Sequence, residues 1–191
     1  MGATFGHNLR MTIFGESHGN GIGLVLDGLP PGTPIDEDFI KEEMARRAPG
    51  KNRMSTQRQE TDAFVIESGV FEGKATGTPL CVLIPNSDQR SKDYSLLKDV
   101  MRPGHADYAG KVRYKGFNDY RGGGHFSGRL TAPLVFAGAV AKTMLAQKGI
   151  VVGAHVARIG KITDALFNPL GETAERLQAL RKCTLPVLVD G

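Results

Sequence analysis

The chain has 191 residues, 40% of them apolar and 23% charged, and a formal net charge of +4. That length can bury a core, and so mild a balance does not by itself call for nucleic acid. Residues 1–10 offer no signal-peptide run, no stretch reaches the ~18 apolar residues of a membrane span, and Cys81 and Cys183 lack metal-ligand or redox spacing, so a soluble cytoplasmic protein with reduced thiols is expected.

Residues 22–29 (Ile-Gly-Leu-Val-Leu-Asp-Gly-Leu) predict a strand that Pro30-Pro31-Gly32 stops. Asp36 predicts the cap of a helix running to about Arg47, with acids in its first turn and Arg46 and Arg47 in its last. Pro49-Gly50 ends it. Residues 63–71 and 78–84 predict successive strands joined by a glycine-rich turn over 72–77. Periodicity fades over 86–128, which reads as a long functional loop, since Tyr94, Tyr108, Tyr114, Phe117, Tyr120 and Phe126 give it apolar anchors. Residues 131–148 predict a helix apolar on nearly every face, hence packed all round and closed by Gly149. A strand over 150–159, a surface helix over 172–182 and the start of another segment at 185–191 complete the chain. Strands and helices mix without strict alternation, which predicts an α+β fold with largely antiparallel pairing.

Four strings carry chemistry. Gly15-Glu16-Ser17-His18-Gly19 fits the G-x-S-x-G pattern of a hydrolase nucleophile at Ser17, but that elbow needs a helix after it and a strand follows here. Residues 46–58 hold five basic side chains (Arg46, Arg47, Lys51, Arg53, Arg58) and no acid. Arginine suits bidentate binding of phosphate or carboxylate, and the absence of stacking aromatics argues for a small polyanion over RNA. Arg121-Gly122-Gly123-Gly124-His125-Phe126-Ser127-Gly128-Arg129 runs into the predicted helix, so its backbone N–H groups, Ser127 and Arg129 read as an anion or cofactor-phosphate site. His105, in Arg102-Pro-Gly-His-Ala-Asp107, has a side chain suited to proton transfer near neutrality.

Together these strings resemble the chorismate synthase family. The likeness runs from Phe14-Gly-Glu-Ser-His-Gly19 and Asp27-Gly-Leu-Pro-Pro-Gly32 through Glu67-Ser-Gly-Val-Phe-Glu-Gly73 and Asn86-Ser-Asp-Gln-Arg-Ser-Lys-Asp-Tyr94. It continues in Arg102-Pro-Gly-His-Ala-Asp-Tyr108, Asp119-Tyr-Arg-Gly-Gly-Gly124 and Ser127-Gly-Arg129, over about residues 5–160. The resemblance implies a β-α-β sandwich of helices between antiparallel sheets, with the chain as the N-terminal part of one longer domain. It also implies 1,4-anti elimination of phosphate from 5-enolpyruvylshikimate 3-phosphate, a need for reduced FMN with NADPH as a source of reducing equivalents, and a homotetramer. His18 then matches the acid for the departing phosphate, and His105 the residue that protonates or stabilises the flavin. Ser17 and Ser127 hydrogen-bond within that array. Arg47, Arg53, Arg58 and Arg129 bind substrate, and Gly124, His125, Phe126 and Ser127 contact flavin. Position 125 is often arginine in the family. A serine hydrolase using Ser17 and a non-catalytic anion- or RNA-binding module are the alternatives. The 191 residues alone are expected to turn over little or not at all when assayed anaerobically with reduced FMN.

Overall fold

Alternating apolar residues make the central strand of a five-stranded antiparallel sheet. The computed structural model describes residues 3–49, 61–87, 94 and 98–189 and divides into two units, Met1–Ala141 and Lys142–Gly191. In the first unit, strands β1 (Thr4–Phe5), β2 (Arg10–Gly15), β3 (Gly21–Asp27), β4 (Val65–Ser68) and β7 (Leu80–Pro85) lie in the order β1-β2-β3-β7-β4. Register pairs Ile22 with Ile84, Leu24 with Val82 and Leu26 with Leu80. All six side chains are buried, and each contributes about 1.5–3 kcal/mol on leaving water. Cross-strand pairs of this kind hold a sheet in one register.

The predicted strand over 63–71 is broken. Gly69 has a φ of 86°, and a Cβ there would lie 2.4 Å from the Leu80 backbone. Past it, β5 (Val70–Phe71), the end of the predicted strand, and β6 (Lys74–Ala75), within the predicted turn, form a separate small hairpin.

Helix α1 (Glu37–Arg47) follows the sequence reading closely. Asp36 accepts from Phe39 N–H at 3.0 Å, and Ala48, the residue before Pro49, leaves the helical region at ψ 135°. Its buried apolar residues are Ile40 and Met44.

The expected loop over 86–128 contains a helix, α2 (Asp107–Arg113), and a 3-10 turn over Arg121–Phe126 with glycines at positive φ inside it. Helix α3 (Thr131–Ala146) buries Ala132, Pro133, Phe136, Ala139 and Val140. Leu134 is exposed and Val135 and Ala137 are half-buried. Packing on all sides is therefore corrected to packing on one stripe, set by the i, i+3, i+4, i+7 spacing. Phe136 meets Phe64 edge-on, ring centroids 5.0 Å apart, which joins α3 to the approach of β4. By length and composition the stretch Arg121–Ala146 could cross a membrane. Its regular helix has only 16 residues, short of the ~20 needed.

In the second unit Gly149 closes α3 as expected: at φ 71° it donates to Ala146 C=O, and Ile150 N–H donates to Leu145 C=O. The predicted strand over 150–159 is reduced to β8 (Arg158–Ile159), paired with β9 (Ile162–Thr163). Val156 N–H instead donates to the Pro186 carbonyl. Helix α4 (Ala174–Leu180) is capped by Thr173.

A buried carboxylate, Asp164, ties this unit together. It accepts from Leu188 N–H at 2.6 Å, Val189 N–H at 3.1 Å and His155 Nδ1 at 3.0 Å. The His155 ring stands edge-on to Phe167. The bond from Leu188 foremost, with His155 and the neighbouring amides, holds the Asp164 carboxyl at about 2, against about 3.9 in an unfolded chain. Because the folded value is the lower one, the contribution is complete above about pH 4 and is lost as pH falls toward about 2. The Leu188 and Val189 amide resonances should move together across that window. In Asp164→Asn they should not titrate there; unchanged titration in that variant would refute the clamp.

Candidate functional site

Two turns meet at one end of the sheet. The connection between β2 and β3 carries Ser17 and His18, both buried, and the 3-10 turn at residues 121–126 lies against it. Ser17 N–H donates to the Gly124 carbonyl at 3.1 Å, and His125 Nδ1 donates to the Gly15 carbonyl at 2.9 Å. Gly123 N–H donates to Tyr120 C=O and Ser127 N–H to Gly124 C=O. Those two amides serve the turn itself, so the expected row of outward N–H groups is corrected. Ser17 sits between antiparallel strands with no helix after it, which removes the nucleophile-elbow geometry.

The two predicted imidazoles lie against successive residues of this turn. A Cβ on Gly122 would fall 2.2 Å from His18 Nδ1, and one on Gly123 would fall 2.9 Å from His105 Nε2. His18 also meets the edge of Tyr94, ring centroids 4.9 Å apart. His105 Nδ1 is 2.5 Å from Asp107 Oδ1. Asp107 in turn accepts from Arg102 N, Nε and Nη2 at 3.1, 2.8 and 2.9 Å. Arg102 thereby holds the Asp107 carboxyl well below the usual carboxylate range, and Asp107 raises Arg102. A second carboxylate, Asp119, accepts from Arg121 N, Nε and Nη2. Burial pushes the Asp119 carboxyl up, but the combined bonds and charge of Arg121, with His18 nearby, bring it below its ordinary value.

The basic side chains gather on a residue that sequence reasoning missed. Arg47, at the end of α1, and Arg129, just before α3, both pair with Asp62, whose side chain is fully buried. Arg129 Nε donates to Asn86 Oδ1 at 3.1 Å and its Nη2 to Pro85 C=O. Asn86 Nδ2 donates to Glu16 C=O and Gly19 C=O at 3.0 and 2.9 Å. A continuous set of hydrogen bonds thus joins the arginine pair to the turn that holds His18. Arg53 and Arg58 lie outside the described residues. The available signals were slight: Asp62 lies four positions past Arg58, and Asn86 merely opens a polar string.

The expected cofactor residues divide. His125 and Ser127 line a cavity of about 620 Å³ with Phe5, Ile13, Leu130 and Leu134, a size and apolar lining suited to a flat aromatic group. Ser127 Oγ also accepts from Arg129 N–H at 3.3 Å, capping the turn that enters α3. Phe126 instead packs over Gly110 and beside Tyr114, and Gly124 gives its carbonyl to Ser17.

The profile of the family described as chorismate synthase matches residues 9–185. A chorismate synthase from Cytophaga hutchinsonii is 54% identical over 178 residues, 91% of this chain and 49% of the relative. Those from Nitratiruptor sp. and Polaromonas sp. are each 55% identical, covering 86% and 95% of this chain and 46% and 53% of their own lengths. A crystal structure of chorismate synthase superposes with a TM-score of 0.67 at 30% identity, over 95% of this chain and 48% of that one. The chain spans about half the length of the curated relatives it matches.

Removing the charge of Asp62 strands the Arg129 guanidinium, whose side chain is 3% exposed. Asp62→Asn should cost about 3–5 kcal/mol in urea unfolding. Asp27→Asn, at the exposed pair with Arg10, should cost no more than about 1 kcal/mol. Equal losses would show that the Asp62 cluster is not an interior ion pair.

Proposed function

The chain belongs to the chorismate synthase family, and we propose that the protein carrying it eliminates phosphate from 5-enolpyruvylshikimate 3-phosphate to give chorismate. The observation that carries this reading is the joining of two imidazoles and a pair of guanidiniums in one connected site. A substrate with a phosphate and two carboxylates needs fixed positive charge, which Arg47 and Arg129 supply and to which Arg53 and Arg58 would add.

His18 is the acid in this reading. As the C–O bond breaks its electron pair goes to the departing phosphate, and a proton from the imidazole neutralises charge building on that oxygen. Ser17, adjacent and buried, would hydrogen-bond within this array. His105 is oriented through Nδ1 by Asp107, and its Nε2, with Arg102 Nη2 3.4 Å away, is the nitrogen that this reading uses for proton exchange. Reduced FMN, with NADPH as a source of its reducing equivalents, would lend electron density for loss of a weakly acidic C–H proton. His125 and Ser127, at the apolar cavity, are the residues to hold it. A homotetramer and a cytoplasmic location rest on the same family likeness.

With chemically reduced FMN under anaerobic conditions, the protein carrying this chain should form chorismate and release inorganic phosphate. His18→Ala and His105→Ala should each lower kcat by about 10²–10⁴-fold. Arg47→Ala should raise KM more than it lowers kcat. Turnover unchanged in both histidine variants would overturn the assignment of proton transfer.

A further inference from the structure

Three successive glycines let a ligand approach the main chain closely. Here two of the three positions are filled by the protein's own imidazoles. A Cβ at Gly122 would stand 2.1 Å from His18 Cε1 and 3.1 Å from Ser17 Oγ, and one at Gly123 would stand 2.7 Å from His105 Cε1. Both glycines have positive φ, 56° and 84°. The third, Gly124, faces backbone, its Cβ position 2.1 Å from the Asp119 carbonyl oxygen. The rings are themselves backed: His18 by Tyr94, His105 by Asp107 and Arg102. A ring pressed from behind by Tyr94 or Asp107 and in front by a Cα has little room to tilt.

We propose that Gly122 and Gly123 are positioning residues, each acting as the seat of one imidazole, Gly122 for His18 and Gly123 for His105. The seat sets where each ring nitrogen stands, and consecutive residues of one turn set the two rings relative to each other. The reaction assigned to these rings rests on the reading above, but the packing does not. A methyl group at either position displaces the ring it faces and leaves the other in place. Gly116 supplies the control for backbone strain, since it has φ 81° with nothing within 4 Å of its Cβ position.

The test uses the ring resonances of ¹⁵N-histidine-labelled protein. Gly122→Ala should shift those of His18 and spare His105; Gly123→Ala should do the reverse; Gly116→Ala should move neither. Stability provides a second measurement that tolerates poor folding. His18→Ala opens the space a methyl at 122 needs, so Gly122→Ala with His18→Ala should be less destabilised than the sum of the single changes. The same should hold for Gly123→Ala with His105→Ala, while the crossed pairs add. In the active protein each alanine variant should lose about 100-fold in kcat with KM little changed. Additive behaviour in the matched pairs, or ring shifts of equal size with Gly116→Ala, would overturn the seats. Additive pairs combined with inorganic phosphate moving the amides of Gly122, Gly123 and Gly124 would return the turn to anion binding. Selective ring shifts in a protein without lyase activity would keep the seats and remove the proposed function instead.

Discussion

The carboxylate of Asp62 is what permits two guanidinium groups inside the first unit. Arg129 is almost wholly buried and Arg47 mostly so, and an unpaired buried charge costs several kcal/mol. One carboxylate with two oxygens meets both, so the end of α1, the approach to β4 and the start of α3 converge on one point. Asp62 itself adopts a φ of 53°, unfavourable by about 1–3 kcal/mol for a residue with a side chain. The two ion pairs hold it there, and removing the carboxylate would leave buried guanidinium charge unpaired.

The sheet's register delivers the rest of the site. Gly21 pairs with Pro85 and Gly15 with Ile22, which puts the turn after β2 and the residue after β7 at one end. Asn86 therefore lies beside Glu16 and Gly19 and can spend both amide hydrogens on their carbonyls. Slipping β7 by one residue would turn Leu80, Val82 and Ile84 toward the opposite face. The same slip would carry Asn86 away from the turn and break its link to Arg129. Core packing and site assembly are thus fixed by the same pairing.

Elements governed by local signals were legible in the sequence. Helix α1 has a capping aspartate, complementary charges at its ends and a terminating proline, and β3 and β7 are short apolar runs bounded by glycine and proline. Strand β2 escaped because Met11-Thr-Ile-Phe14 is short and its polar Thr12 answers to Thr4 across the strand pair. Helix α2 has seven residues with Gly110 inside it. Its start is held by Asp107 bonding back to Arg102, a contact that helix propensity does not report. Composition could mark α3 as apolar but not which of its faces would be covered. Within the site, histidines and arginines were visible as residue types suited to acid–base work and anion binding. Asp62 and Asn86 were not, because their partners at Arg129 stand 67 and 43 positions away. Only folding reveals that those groups share one interior.

The placement of charge bears on where a polyanionic substrate can bind. Arg102 is committed to Asp107 and Arg121 to Asp119, so each contributes a near-neutral pair. Arg47 and Arg129 share Asp62. Under the proposed function, a phosphate with two carboxylates asks for positive charge that is not already spent on such pairs. The triglycine turn cannot supply it where imidazoles occupy the front of Gly122 and Gly123. The remaining cations close in sequence are Lys51, Arg53 and Arg58, on the stretch that leaves α1 just after Arg47.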